Sequence, residues 1–376
     1  MSIQDTDKIL INRSGSSFQV EAQNFDSVQE SDLLLVNRGG ESFQVKRSDL
    51  ERLLQDDDLL LINRESNSFK CTGAEFNQLL GPPPGTQKFN IVQFTGTGSP
   101  IAVPNDVDCS TEAFVWNKAI GSGNHMLWDT IRGPGNRFNP DNNAANDSTA
   151  AGNNQGLTEL TQNGFKLGND YQGSNTAQEY ISYCWRKAPD FMDIVDCPNG
   201  AGTYNHDLGV RPGMIIAKSV STGDWYVYFS VKNINSYALL NSSASDVYSP
   251  GAWGPDVSVP NSTEFVLGPI FGSNRYIAYL FPVNNLEVTT SSYVAQNGSL
   301  RTITTGYRPR FVMLKNWLGN DNWYIFDSLR GAGKYLVAND SSQEGSTTDF
   351  AFTDTGFTVK GQFGVGFGQY AFLAMK

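Results

Sequence analysis

Two histidines, His125 and His206, and four cysteines, Cys71, Cys109, Cys184 and Cys197, are all this chain offers of the side chains that usually activate nucleophiles or bind soft metals. The cysteine spacing matches no zinc or redox pattern. No phosphate loop, EF-hand or HExxH stretch is present, nor a nucleophile elbow. A Ser-His-Asp relay is a spatial arrangement, so sequence leaves it open. Three carboxylates, Asp190, Asp193 and Asp196, gather just before Cys197. Glycoside hydrolysis needs two apposed carboxylates, and apposition is not visible in a linear sequence. Asp129 with Arg132, and Asp327 with Arg330, recur in the phrase Asp-x-x-Arg-Gly. Either could be an active-site carboxylate with its cation. Recurrence favours the alternative, a structural turn lock in which carboxylate and guanidinium clamp a tight bend. The expectation is therefore no catalytic, cofactor-binding or metal-binding residue.

The elements that must carry these residues repeat on a period near 100 residues. Three apolar stretches each end in lysine: Ala113 to Lys118, Met214 to Lys218, and Phe311 to Lys315. An aromatic stretch follows each, from His125 to Asp129, Trp225 to Phe229, and Trp323 to Asp327. A third stretch lies at 164–168, 265–268 and 356–359, and a fourth at 180–185, 276–281 and 370–375. Short apolar runs broken by turn formers read as strands. In this alignment His125 occupies the place of Trp323, which makes it a packed strand residue. Ser230-Val231-Lys232 stands where the second unit should carry its Asp-x-x-Arg-Gly turn. Two loops break the regularity, 136–163 and 241–263, and long loops on a repeat scaffold are often functional. Trp253 in the second loop and Trp317 are candidate ligand-stacking residues.

A shorter repeat precedes these. Asp7 to Arg13, Asp32 to Arg38 and Asp58 to Arg64 are each followed by a Ser-Phe strand phrase, with Asn12, Asn37 and Asn63 spaced 25 and then 26 residues apart. Phe43 and Val45 alternate with polar residues as a half-buried strand does. Leu50, Leu53 and Leu54 then change to helical spacing. Each repeat reads as ββα. Arg13, Arg38 and Arg64 form either a candidate docking row or local pairs with the aspartates of their own repeats. Pro82-Pro83-Pro84 makes a stiff connection. The fold expectation is mainly β: an N-terminal attachment module of three ββα repeats at 1–80, a Pro/Gly linker at 81–87, then an all-β region of three pseudo-repeated, roughly four-stranded units at 88–200, 201–300 and 301–376. Sandwich, prism-like and propeller-like closure all fit the pattern.

Composition agrees. Of 376 residues, 17% are charged and 12% aromatic, with 37 glycines, which favours turn-rich β structure over a helical enzyme. A formal charge of −11 repels phosphate backbones, so no nucleic-acid partner is expected. The opening residues lack an apolar export segment, and no run approaches the roughly 20 residues that span a bilayer. The cysteines are accordingly expected to be reduced and packed as small hydrophobes.

The N-terminal phrase Asp-Leu-Leu-Leu-Ile-Asn-Arg with its Ser-Phe strand resembles repeats in structural proteins of tailed phages that infect marine cyanobacteria. Gly209 to Lys218 with Asp224 to Phe229, Gly306 to Lys315 with Asn322 to Gly331, and the closing Gly356 to Lys376 are similar to a module of marine phage tail-fibre and other virion proteins. The resemblance implies a virion structural protein, from tail fibre, baseplate or capsid surface, made in the host bacterial cytoplasm. It implies an N-terminal docking device, an outward β region for assembly or host adhesion, other virion proteins as partners, and a homo-oligomer, with a trimer favoured over a monomer closed as a pseudo-trimer. The alternative functions are a carbohydrate-binding module that recognises host surface glycan, and a polysaccharide depolymerase.

Overall fold

The computed structural model describes residues 85–255, 260–363 and 368–376, together with the backbone of six strands between residues 8 and 72. The chain divides into two compact parts between Thr86 and Gln87. The structure is mainly β, and among the described residues helical turns are limited to short 3₁₀ segments such as Pro269–Phe271. No helix among those residues is long and apolar enough to cross a membrane.

In the N-terminal part, three hairpins form from β1 (Lys8–Arg13) and β2 (Ser16–Glu21), β3 (Leu33–Arg38) and β4 (Glu41–Lys46), and β5 (Leu59–Arg64) and β6 (Asn67–Thr72). The first strands of the hairpins close on one another. Asn12 pairs with Leu33, Asn37 with Leu59, and Asn63 with Lys8. The C-terminal half of each inner strand therefore pairs with the N-terminal half of the next, and no inner strand is left as an edge. The helices expected after each hairpin, and the side chains of Arg13, Arg38 and Arg64, lie outside the described residues.

The second part holds three two-sheet units. The first contains β7 (Phe89–Thr95), β8 (Ile101–Val103), β9 (Ala113–Ala119), β10 (Met126–Asp129), β11 (Leu157–Thr161), β12 (Gly164–Leu167) and β13 (Glu179–Arg186). The second contains β14 (Asp193–Cys197), β15 (Gly202–Asn205), β16 (Pro212–Ser219), β17 (Trp225–Phe229), β18 (Ser236–Leu239), β19 (Val247–Tyr248), β20 (Glu264–Leu267) and β21 (Tyr276–Pro282). The third contains β22 (Val288–Val294), β23 (Arg301–Thr304), β24 (Phe311–Asn316), β25 (Trp323–Asp327), β26 (Lys334–Val337), β27 (Gly345–Ser346), β28 (Phe350–Thr353), β29 (Gly356–Val359) and β30 (Gln369–Met375).

Each larger sheet places the unit's first strand beside its last: β10-β9-β13-β7, then β14-β21-β16-β17-β18-β19, then β22-β30-β24-β25-β26-β27. The pairing sets the unit boundaries earlier than the phrases do. β14 joins β21 although it lies within 88–200, and β22 joins β30 although it lies within 201–300. The units also hold more than four strands each, because their first strands and the short strands of the smaller sheets carry no repeated phrase.

The lysine-ended strands are continuous apolar runs because both of their faces are covered. One face of β9, β16 and β24 meets the unit's own small sheet. The other sends Phe114 and Trp116, Met214 and Ile216, and Phe311 and Met313 into a single core shared by all three units. The shared core leaves a void of about 10 Å³, room for at most one water molecule and walled by apolar surface, so it is packing rather than a ligand chamber.

Three equivalent seams close the ring. Asn146 N–H donates to Val220 O and Gly223 N–H to Asn143 O; Asp246 N–H donates to Trp317 O and Asp321 N–H to Ser243 O; Glu344 N–H donates to Ile120 O and Gly123 N–H to Ser341 O. All six lie between 2.8 and 2.9 Å. One chain thus builds an internal pseudo-trimer. Residues 87–376 alone are expected to give a monomer mass by light scattering and a single cooperative melt, since each unit separated from the others would expose the face of its large sheet that fills the shared core. Independent melting of the units would contradict the shared core.

Candidate functional site

The ionisable residues that sequence singles out gather at the seams. β10 and β25 end on Asp129 and Asp327, which register with Phe114 and Phe311. Each carboxylate accepts the backbone N–H of the arginine three residues on at 2.8 Å and its Nε at 2.7 Å (Arg132) or 2.5 Å (Arg330). Gly133 and Gly331, at φ +80° and +98°, let the chain leave the bend in a conformation other residues avoid. The arginine and aspartate side chains are at most 2% exposed.

Each clamp also receives a tyrosine from a neighbouring unit. Tyr279 donates to Asp129 Oδ2 at 2.6 Å and Tyr183 to Asp327 Oδ2 at 2.8 Å. Burial, ahead of the neighbouring carboxylate, pushes both phenols well above their ordinary range, so they remain donors. The turn locks are therefore also clasps between units.

The third seam lacks the clasp on both sides at once. By strand register Phe229 occupies the position of Asp129 and Asp327, and Leu373 that of Tyr183 and Tyr279. Register thus aligns Phe229, rather than Ser230, with the aspartates. Lys232 takes the arginine position and pairs with Asp246 at 2.8 Å, where Arg132 bonds Asn146 and Arg330 bonds Glu344. The ring beneath the cation changes sides: Arg132 lies 3.6 Å from the centroid of Phe138 of its own unit, whereas Lys232 lies 4.6 Å from that of Trp317 of the next. Ala238 stands in the Phe138 position and leaves room for that tryptophan.

Trp317 and Trp253 are consequently not stacking platforms. Trp317 is 4% exposed and donates to Gln369 Oε1. Trp253 is 0% exposed, lies against Phe271 and Tyr228, and donates to Ser236 O. The Gly-, Ser- and Pro-rich surroundings of Trp253 read as an exposed loop, but both rings are covered.

His125 replaces a tryptophan in geometry as well as in alignment. Its Nε2 is 2.9 Å from Val337 O, just as Trp225 and Trp323 Nε1 donate to Asn139 O and Leu239 O. Trp116 Nε1 donates to His125 Nδ1, so the ring carries its proton on Nε2. Burial pulls its pKa down to about 3 and keeps it neutral. His206 Nδ1 accepts from Leu208 N–H and its Nε2 faces Asn261 O. Asp193 accepts Asp207 N–H and pairs with Lys187, while Asp196 pairs with Arg275. Three residues apart on one strand, these carboxylates face opposite sides of the sheet and do not form an apposed pair. Cys109, Cys184 and Cys197 are buried free thiols. Among the described residues no group of three His, Cys, Asp or Glu is placed to hold a metal.

Sequence reasoning passed over one set of residues, the lysines ending the shared phrase. Lys118, Lys218 and Lys315 are at most 1% exposed, and each ammonium caps two carbonyls near its seam, for example Ser243 O and Asp321 O around Lys315. Burial pulls all three down to about 8 from 10.5. Their recurrence at the end of an apolar strand was the available signal.

Two outcomes follow. Arg330→Ala leaves Asp327 charged and buried without its cation, and should cost about 3 kcal/mol or more in denaturant melts. From pH 8 to 9 the unfolded chain keeps lysine protons that the folded chain releases, so stability should rise with pH by on the order of 1 kcal/mol per lysine. The buried thiols oppose part of this from about pH 8, and the buried phenols from about pH 9, because their folded pKa values are raised above the unfolded ones. Lys218→Met should flatten the rise in pH-dependent melts.

No curated protein matches the chain. A family described as a domain of unknown function (DUF7483) matches residues 84–374, which takes in all three units but for the last two residues. The chain belongs to that DUF7483 family.

Proposed function

We propose that this protein is a structural protein of a phage particle, an appendage of tail, baseplate or capsid surface. In this reading residues 87–376 are a rigid β body for assembly or host adhesion, and the N-terminal hairpins attach it. The observation that carries the reading is the engagement of the reactive side chains within the ring. The buried Asp, Arg and Tyr groups bond one another across seams, His125 bridges Trp116 and Val337, and the lysines cap carbonyls. Groups held this way stiffen a scaffold and are not free to meet a substrate. The resemblance of the strand phrases to virion proteins supplies the particle. A trimer of whole chains, which the resemblance favours, would be made by surfaces other than these seams, because the seams are already filled from within one chain.

A chain beginning at Lys88 should fold, stay soluble and be missing from purified particles when quantified by mass spectrometry. Normal incorporation of that truncation would remove the attachment role from the N-terminal part, and absence of the full chain from particles would end the reading.

A further inference from the structure

The three units place equivalent tyrosines at the rim between their two sheets, and the second unit leaves three of them open where the third leaves one, Tyr335, in the Tyr237 position. Tyr226 and Tyr324 share one strand position, as do Tyr180, Tyr276 and Tyr370. In the first unit Tyr180 donates to Gly173 O at 2.8 Å. In the third, Tyr324 donates to Asp321 Oδ1 and Tyr370 to Gln362 O, each at 3.0 Å. In the second unit Tyr226, Tyr237 and Tyr276 converge, with Tyr226 ring centroids 5.0 Å from Tyr237 and 6.5 Å from Tyr276. None of these three hydroxyls has a hydrogen-bond partner among the described residues, although Tyr226 and Tyr237 are half-buried and Tyr276 is 5% exposed. Phe271 closes the floor, 5.0 Å from Tyr226 and 5.1 Å from Tyr276.

Asp224 adds the one charge. Its Oδ1 accepts from Asn241 Nδ2 at 2.9 Å, and Oδ2 has no partner among the described residues. Burial first raises all three tyrosines, followed by a neighbouring phenol at Tyr226 and Tyr276 and by this carboxylate at all three, with Tyr276 pushed up to about 12. The hydroxyls therefore keep their protons. The three hydroxyls are not sealed in the core, so they are open to partners from outside the fold.

We propose that Tyr226, Tyr237 and Asp224, with Tyr276 beneath them, form a binding site for a neutral saccharide. Aromatic rings accept the C–H face of a pyranose, while phenol hydroxyls and a carboxylate oxygen meet its hydroxyl groups. The only ionised group in the set is negative, so acidic sugars are repelled. The site rests on the reading of the β body as adhesive and gives that adhesion a ligand class.

The test titrates the full chain with mannotriose, galactotriose and cellotriose, using oligogalacturonate as the acidic control, by saturation-transfer NMR and calorimetry. At least one neutral trisaccharide should bind. Tyr226→Phe with Tyr237→Phe keeps the rings, removes two hydroxyls, and should weaken binding about tenfold or more at an unchanged melting temperature. Asp224→Asn should weaken it independently. No binding to any neutral trisaccharide, preference for oligogalacturonate, or equal binding by the variants overturns the site. Particle association of the wild-type full chain is measured separately: its absence from particles would count against the appendage reading, whatever the saccharide result.

Discussion

One apolar core serves three units, and the rest of the β body follows from that. Each unit buries one face of its large sheet against its own small sheet, and the other face only against its two neighbours. Phe114, Trp116 and Trp185, Ile216, Trp225 and Phe281, and Phe311, Met313 and Leu373 fill the same interior. Opening any seam would expose large aromatic and aliphatic side chains, each worth roughly 1.5–3 kcal/mol when buried. The ring therefore holds together as a whole, and polar groups at its seams are committed to partners inside it.

The seams show how such a core tolerates sequence divergence. Two carry a buried Tyr–Asp–Arg clasp, and the third carries Leu373, Phe229 and Lys232. Losing one partner of a buried charged pair strands the other, whereas replacing both by apolar groups can be neutral or stabilising. The third seam changed on both sides, and volume moved with it, as Ala238 gave up the space that Trp317 fills. The void left between them is about 10 Å³, so the exchange remains close-packed.

Much of this architecture is legible in the sequence because strand phrases and turn glycines are local signals. The runs ending at Lys118, Lys218 and Lys315 become β9, β16 and β24, and Asp129-x-x-Arg132 and Asp327-x-x-Arg330 form the expected clamps. What is not legible is long-range. Tyr183 meets Asp327 and Tyr279 meets Asp129 across more than a hundred residues, and no local pattern announces either partner. Trp253 and Trp317 read as exposed because local composition says nothing of what covers a ring. The open tyrosines of the second unit emerge only by comparing three equivalent positions, since Tyr276 differs from Tyr180 and Tyr370 in its surroundings and not in its identity.

The equivalence of the three seams is the central claim, and a thermodynamic cycle at the divergent seam tests it most directly. Phe229→Asp and Leu373→Tyr are made singly and together in a Lys232→Arg background, and unfolding free energies are compared. Equivalence predicts that Phe229→Asp alone is severely destabilising and that adding Leu373→Tyr recovers a large part of the loss, with a coupling of about 1 kcal/mol or more. Additive losses would mean that Phe229 and Leu373 do not face each other as Asp327 and Tyr183 do, and would contradict the closed pseudo-threefold ring.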